Sequence, residues 1–188
     1  VATAAARTSV INDVRGEGIA WPMGDIVHSE PVVVHYGSGT SGKAYIFVGA
    51  NDGMLHAFDD STGKEVWGFV PPGQLGKVQN LAAGSHNYYV DGSPVYFEVG
   101  SKKVLMFGER RGGENYYALD ITDPLDPRWL YQISAGKLSA SGSNALLGKS
   151  WSRPQPLVIK SDGAKKSVFL LTGGYDYEQT GEVEPMAA

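Results

Sequence analysis

Ala57-Phe58-Asp59-Asp60-Ser61-Thr62-Gly63-Lys64-Glu65-Val66-Trp67 has the form A-x-D-x-x-T-G-x-x-x-W. Each marked residue type has a structural use. The Asp side chain accepts backbone hydrogen bonds in a tight turn, Gly takes the positive φ that closes it, and Trp offers a large flat face to wedge between neighbouring sheets. Short apolar runs flank the turn, Met54-Leu55-His56-Ala57-Phe58-Asp59 before it and Glu65-Val66-Trp67-Gly68-Phe69 across it. This is the pattern of two antiparallel strands.

The two runs are the later half of a unit that recurs. Its openings are Ser29-Glu30-Pro31-Val32-Val33-Val34, Ser93-Pro94-Val95-Tyr96-Phe97 and Ser152-Arg153-Pro154-Gln155-Pro156-Leu157-Val158-Ile159, with Pro31, Pro94 and Pro154 spaced by 63 and 60 residues. A second run ending in Gly follows each, Ala44 to Gly49, Val104 to Gly108 and Ser167 to Gly174. A third run in the second unit, Tyr116-Tyr117-Ala118-Leu119-Asp120, is offset from the first by 61. The fourth carries a Trp again, Arg128-Trp129-Leu130-Tyr131.

Four short strands at a period near 60 suit a propeller blade. The reading is all-β: a partial β-propeller of about three four-stranded antiparallel blades, the third incomplete. Asp59, Gly63 and Trp67 in the first blade, with Asp120 and Trp129 in the second, are the structural repeat residues, and Trp67 and Trp129 are expected buried at equivalent places. Residues 1–20 form a lead-in, 21–72 a blade, 73–88 a linker with a short helix near Gln79 to Ala83, 89–135 a blade, 136–148 a Ser/Gly/Ala-rich loop and 149–188 an incomplete blade. Closed propellers have about 4 to 8 blades, so the open ends are expected to be covered by other chain or a partner. The start, Val1 to Arg7, lacks an initiator Met and a signal pattern, as expected of an excised or mature piece.

Composition narrows the function classes. The chain has 188 residues, 16 Lys+Arg against 20 Asp+Glu, and no basic run longer than two, which argues against nucleic acid. No stretch approaches the roughly 18 apolar residues of a membrane span. With zero cysteines there is no disulfide, thiol nucleophile or Cys-based zinc site. Gly37-Ser38-Gly39-Thr40-Ser41-Gly42-Lys43 imitates a phosphate loop, but Ala44 replaces the hydroxyl and a strand follows where a helix must begin. The second imitation, Gly142 to Ser150, is one residue too long and is followed by Pro154. His28, His35, His56 and His86 lack metal spacing and read as turn or strand residues. Asp120, Asp123 and Asp126 read as a turn with strand-end caps. Arg110-Arg111-Gly112-Gly113 reads either as a partner contact, since adjacent guanidiniums fork onto carboxylates and phosphates, or as a Gly-rich hairpin with solvated arginines.

The Trp repeat resembles that of quinoprotein-type propellers, found in dehydrogenases using pyrroloquinoline quinone and in non-enzymatic scaffolds. Six further blocks are more specific. They are Gly24 to Pro31, Val48 to Phe58, Phe69-Val70-Pro71-Pro72, Tyr89-Val90-Asp91-Gly92-Ser93-Pro94, Gly108 to Gly113 and Tyr117-Ala118-Leu119-Asp120-Ile121-Thr122-Asp123-Pro124. In this order they closely resemble the C-terminal β-propeller of the PilY family, type IV pilus assembly factors and pilus-tip adhesins, over residues 22 to 177.

That resemblance implies a non-enzymatic, extracellular or outer-membrane module supporting pilus extension, surface attachment and twitching. Its implied partners are minor pilins or other pilus-tip subunits, the remaining blades and a host or surface receptor. It implies calcium in an Asp-rich loop that falls beyond residue 188, so no catalytic, cofactor or metal residue is carried onto this chain. The rival expectations are a fragment of a quinone-dependent dehydrogenase, which commonly carries adjacent cysteines that are absent here, and an outer-membrane assembly scaffold.

Overall fold

The structure is a computed structural model and describes residues 3–17, 23–38, 42–83, 86–134 and 147–174. Two four-stranded antiparallel sheets form its body. The first runs β1 (Val32–Tyr36), β2 (Lys43–Gly49), β3 (Leu55–Asp59), β4 (Glu65–Phe69), and the second β5 (Val95–Val99), β6 (Lys102–Gly108), β7 (Tyr116–Asp120), β8 (Arg128–Ile133). In each sheet the strands are hydrogen-bonded in sequence order. A two-stranded remnant, β9 (Gln155–Ser161) with β10 (Ala164–Leu170), follows. The first strands of successive sheets approach one another, β1 to β5 and β5 to β9, as the strands nearest a propeller axis do.

Alternation along β6 and β7 explains the stacking. Leu105, Phe107, Tyr117 and Leu119 point to the first blade and join Val34, Tyr45, Phe47, Leu55 and Ala57 in one core. Met106 and Tyr116, on the other face, pack toward Phe169 and Leu171 of the remnant. Both faces of the central blade are therefore packed, and all five residues of β7 are buried. The remnant is different: Val158 is 67% exposed and Leu170 58%.

The tryptophans do not occupy equivalent places. Trp67 pairs with Ala57, whereas Trp129 pairs with Leu119 and it is Tyr131 that pairs with Ala118. Both fourth strands carry a bulge at this point, and the second turn is longer, so Trp129 is displaced along its strand. Because Leu119 faces the first blade, Trp129 faces it too, its ring tilted against Phe69 at 6.1 Å and Tyr117 at 6.0 Å between centres. Both indoles thus serve the same interface, and Trp129 stays 45% exposed.

The lead-in holds a helix, α1 (Ala4–Val14), whose N-cap Thr3 accepts from Ala6 N at 3.2 Å and which buries none of its residues. It touches the 3-10 helix Val78–Ala83, which lies where the linker was expected to turn helical. Lys43 begins a strand after the first phosphate-loop imitation. Most of the 136–148 loop, and Tyr175 onward in the last block, lie outside the described residues. Among the described residues no helix is long and apolar enough to cross a membrane.

Candidate binding loop

The repeat turn is built as its composition requires. Asp59 Oδ1 accepts from Ser61 N at 2.9 Å, Thr62 N at 3.0 Å and Ser61 Oγ at 2.5 Å, and Gly63 closes the turn at φ +67°. Asp120 does the same with Thr122 N at 3.0 Å and adds Lys102 Nζ at 2.9 Å. The Lys102 and Thr122 hydrogen bonds hold the Asp120 carboxyl down at about 2, and the Ser61 hydroxyl lowers that of Asp59. Asp123 Oδ1 caps Leu125 N at 3.0 Å, and Asp126 pairs with Arg128 at 3.3 Å. Asp59, Gly63 and Asp120 therefore hold turns.

The loop joining β6 to β7 is a second place where the blades differ. It spans Glu109 to Asn115, two residues more than the matching Ala50 to Met54. Its anchor is Glu109, fully buried. Oε1 accepts from Gln74 Nε2 at 2.7 Å and the Tyr117 hydroxyl at 2.8 Å, while Oε2 accepts from Asn115 N at 3.0 Å and Nδ2 at 2.8 Å. Four donors replace the water that burial removed, the condition under which a buried carboxyl is tolerated. Burial, then the charge of Glu109, drives the Tyr117 phenol far up. The same carboxylate ties the linker, through Gln74, to the second blade.

From this anchor the two arginines diverge in their partners. Arg110 sits at φ +52°, and its backbone N donates to Ser150 Oγ at 3.1 Å. Its guanidinium lies 5.0 Å from the Trp151 ring centre and 3.8 Å from the buried Asp91 carboxylate. Arg111 lies 5.1 Å from the Tyr88 ring and 5.3 Å from Trp151, so two aromatic rings border it, and its Nε has no hydrogen-bond partner among the described residues. Such stacks contribute about 0.5 to 2 kcal/mol each. The structure thus places both arginines in defined stacks, unlike the solvated hairpin that the sequence left open. Gly112 makes this possible: a Cβ there would overlap the Tyr89 carbonyl.

Three histidines face carboxylates, which the spacing of the histidines alone did not disclose. His28 Nδ1 is 2.9 Å from both oxygens of Asp91, across the blade boundary, and His86 Nε2 is 3.0 Å from Asp25. His56, buried, lies between Glu65 at 2.7 Å and Asp52 at 3.0 Å. Burial alone would lower its pKa, but the Asp52 and Glu65 carboxylates outweigh that and raise it. His56 and Tyr117 occupy matching strand positions, each bonded to an acid from its own loop. One signal was available in the sequence: His28 and Asp91 stand 63 residues apart, one repeat. Among the described residues no cluster of three or more His, Asp or Glu could hold a metal ion.

Comparison with known proteins agrees with this architecture. The family model described as "PilY1 beta-propeller domain" matches residues 36–188. A type IV pilus biogenesis factor PilY1 homolog of Xylella fastidiosa (strain Temecula1 / ATCC 700964) is 36% identical over 182 residues, covering 80% of this chain and 14% of the relative. The type IV pilus biogenesis factor PilY1 of Pseudomonas aeruginosa PAO1 is 36% identical over 137 residues, 68% of this chain and 11% of the relative. The crystal structure of the Pseudomonas aeruginosa PilY1 C-terminal domain superposes with a TM-score of 0.55 at 34% identity, covering 71% of this chain and 25% of that one. This chain therefore spans a small part of the relatives it matches.

Proposed function

The chain belongs to the PilY1 β-propeller family, and from that premise we propose that it is the recognition part of a type IV pilus assembly factor. The family match over residues 36–188, which takes in the second blade and all of the first but most of β1, carries the reading. Its work is binding without turnover. The buried polar groups that catalysis would draw on are committed to internal hydrogen bonds, Glu109 to Gln74, Tyr117 and Asn115, and His56 to Asp52 and Glu65. What remains for contact is the long loop with its stacked arginines, in keeping with a module that meets other pilus-tip or minor pilin subunits at the cell surface.

Surface attachment and twitching are part of the same proposal, as is calcium bound by the parent protein in a loop past residue 188. The test is deletion of residues 32–174 from the full-length protein in its own bacterium. Surface pili recovered by shearing, and the twitching zone, are expected to be lost. Normal piliation by cells that stably produce and export the deleted protein would overturn the assembly role.

A further inference from the structure

Beside the loop lies a cavity of about 400 Å³ bordered by Lys77, Asn80, Asn87, Tyr88, Arg111 and Lys149. We propose that it binds the carboxylate of an acidic peptide segment. The pocket's chemistry stands on its own, while a protein partner as the source of the peptide rests on the assembly reading.

Charge is the first argument. The chain carries a formal net charge of -4, yet among the described residues three basic side chains and no acidic one line this cavity. The neighbouring cavity on the Arg110 side is balanced instead, Arg153 meeting Glu30 at 2.8 Å and Arg110 meeting Asp91 at 3.8 Å. Local concentration of one sign attracts an anionic ligand.

Preorganisation is the second. Lys77 Nζ donates to Gly112 O at 2.5 Å and Lys149 Nζ to Arg111 O at 2.9 Å, so both ammonium groups are fixed to the loop before any ligand arrives. An ammonium has three protons, and the bond of Lys77 to Gly112 O uses one of them, leaving it able to donate again. Asn80 and Asn87 add neutral amide donors at the rim.

The shape of the principal cation selects the ligand. Tyr88 and Trp151 lie against Arg111, and its buried Nε has no acceptor among the described residues. A guanidinium stacked on rings presents its planar edge, the side that a flat carboxylate engages with two parallel hydrogen bonds. Phosphate, a tetrahedral anion, would use the cations chiefly as point charges.

Isothermal titration calorimetry on the full-length protein tests this with three probes, a capped Glu-Glu-Glu peptide, the capped Gln-Gln-Gln analogue and inorganic phosphate. Saturable binding of the Glu peptide is expected, with none of the Gln analogue. Affinity should fall about ten-fold or more in Arg111→Gln and in Lys77→Gln, since charged hydrogen bonds are lost. Arg111→Lys, which keeps charge and ring contact but loses the fork, should fall nearly as far as Arg111→Gln. Arg128→Gln, at an exposed pair far along the blade, should bind as the parent does. Absence of saturable Glu-peptide binding overturns the proposal, as does undiminished binding by both Arg111→Gln and Lys77→Gln. Phosphate binding that the peptide does not compete with overturns the carboxylate in favour of a phosphate site. Because binding is read on purified protein, these outcomes are independent of the piliation result.

Discussion

Trp67 Nε1 donates to the carbonyl oxygen of Pro124 at 2.7 Å, so the last strand of the first blade grips the β7–β8 turn of the second. The indole also lies 5.7 Å from Phe47 in its own blade. Trp129 approaches the same interface from the other side with 45% of its surface exposed. Trp67→Phe keeps the ring and removes the donor, and should cost about 1 to 2 kcal/mol in urea unfolding. Trp67→Ala should cost about 2 to 4 kcal/mol and Trp129→Ala less, because less of its surface is buried. Equal losses for the two alanine variants would contradict a placement in which Trp67 is the more buried of the two and alone adds a hydrogen bond across the interface.

The Glu109 cluster offers a sharper test of polar packing. Tyr117→Phe removes one of two donors to Oε1, and Gln74 still serves that oxygen, so a loss of about 1 kcal/mol is expected. Glu109→Gln should cost about 2 to 3 kcal/mol, since its NH2 must face donors where the carboxylate accepted. Hydrogen exchange at Asn115, whose N donates to Oε2, should quicken in Glu109→Gln, and unchanged protection would refute the anchoring role.

Blade structure was legible in the sequence because it depends on local rules. Alternation along Val104 to Gly108, Ser-Pro openings and turn residues such as Asp59 and Gly63 each act within a few positions. What was not legible depends on register or on distant partners. The displacement of Trp129 follows from the longer turn before β8, since both fourth strands carry a bulge at the matching position, and the spacing of the two tryptophans does not disclose it. Glu109 reads as an ordinary residue after a strand-end Gly until Gln74, 35 residues earlier, is brought to it by the fold. Arg110 and Arg111 were visible as a pair, but their separate partners rest on Trp151 and Tyr88, which belong to other segments. The resemblance to a family supplied what local rules could not, the order of the blocks.

Titration should act on the two flanks of the pH range in opposite senses. His56 has a folded pKa above its ordinary 6.5, so its contribution is fully present below 6.5 and is lost as pH rises through the folded value. His56→Gln should destabilise by about 1 to 3 kcal/mol at pH 5.5, and the difference from the parent should shrink toward pH 9. Asp120, held at about 2 against an ordinary 3.8, works the other way: its contribution is present above 3.8 and is lost as pH falls toward 2. Asp120→Asn should therefore flatten the acid limb of stability against pH and leave the alkaline limb alone. A constant gap between His56→Gln and parent from pH 5.5 to 9 would show that the imidazole contributes by packing, without a proton gained on folding.

Gly112 couples fold stability to the candidate binding cavity. Its N donates to Glu109 O at 2.9 Å, its carbonyl receives Lys77 and Gln74, and its Cα lies against the Tyr89 carbonyl so closely that no Cβ fits. Gly112→Ala must push the loop away from Tyr89, which should cost about 2 to 3 kcal/mol and move Arg111 from between its two rings. The expected readout is a lowered thermal midpoint together with a changed Trp151 emission, since a guanidinium leaves that ring. Gly113→Ala is a poor substitute for this test, because a Cβ there meets the Glu109 carboxylate and disturbs the anchor itself. If Gly112→Ala melts like the parent and its tryptophan emission is unchanged, the loop has room that the packing of Tyr89 denies, and the rigid presentation of Arg111 is refuted.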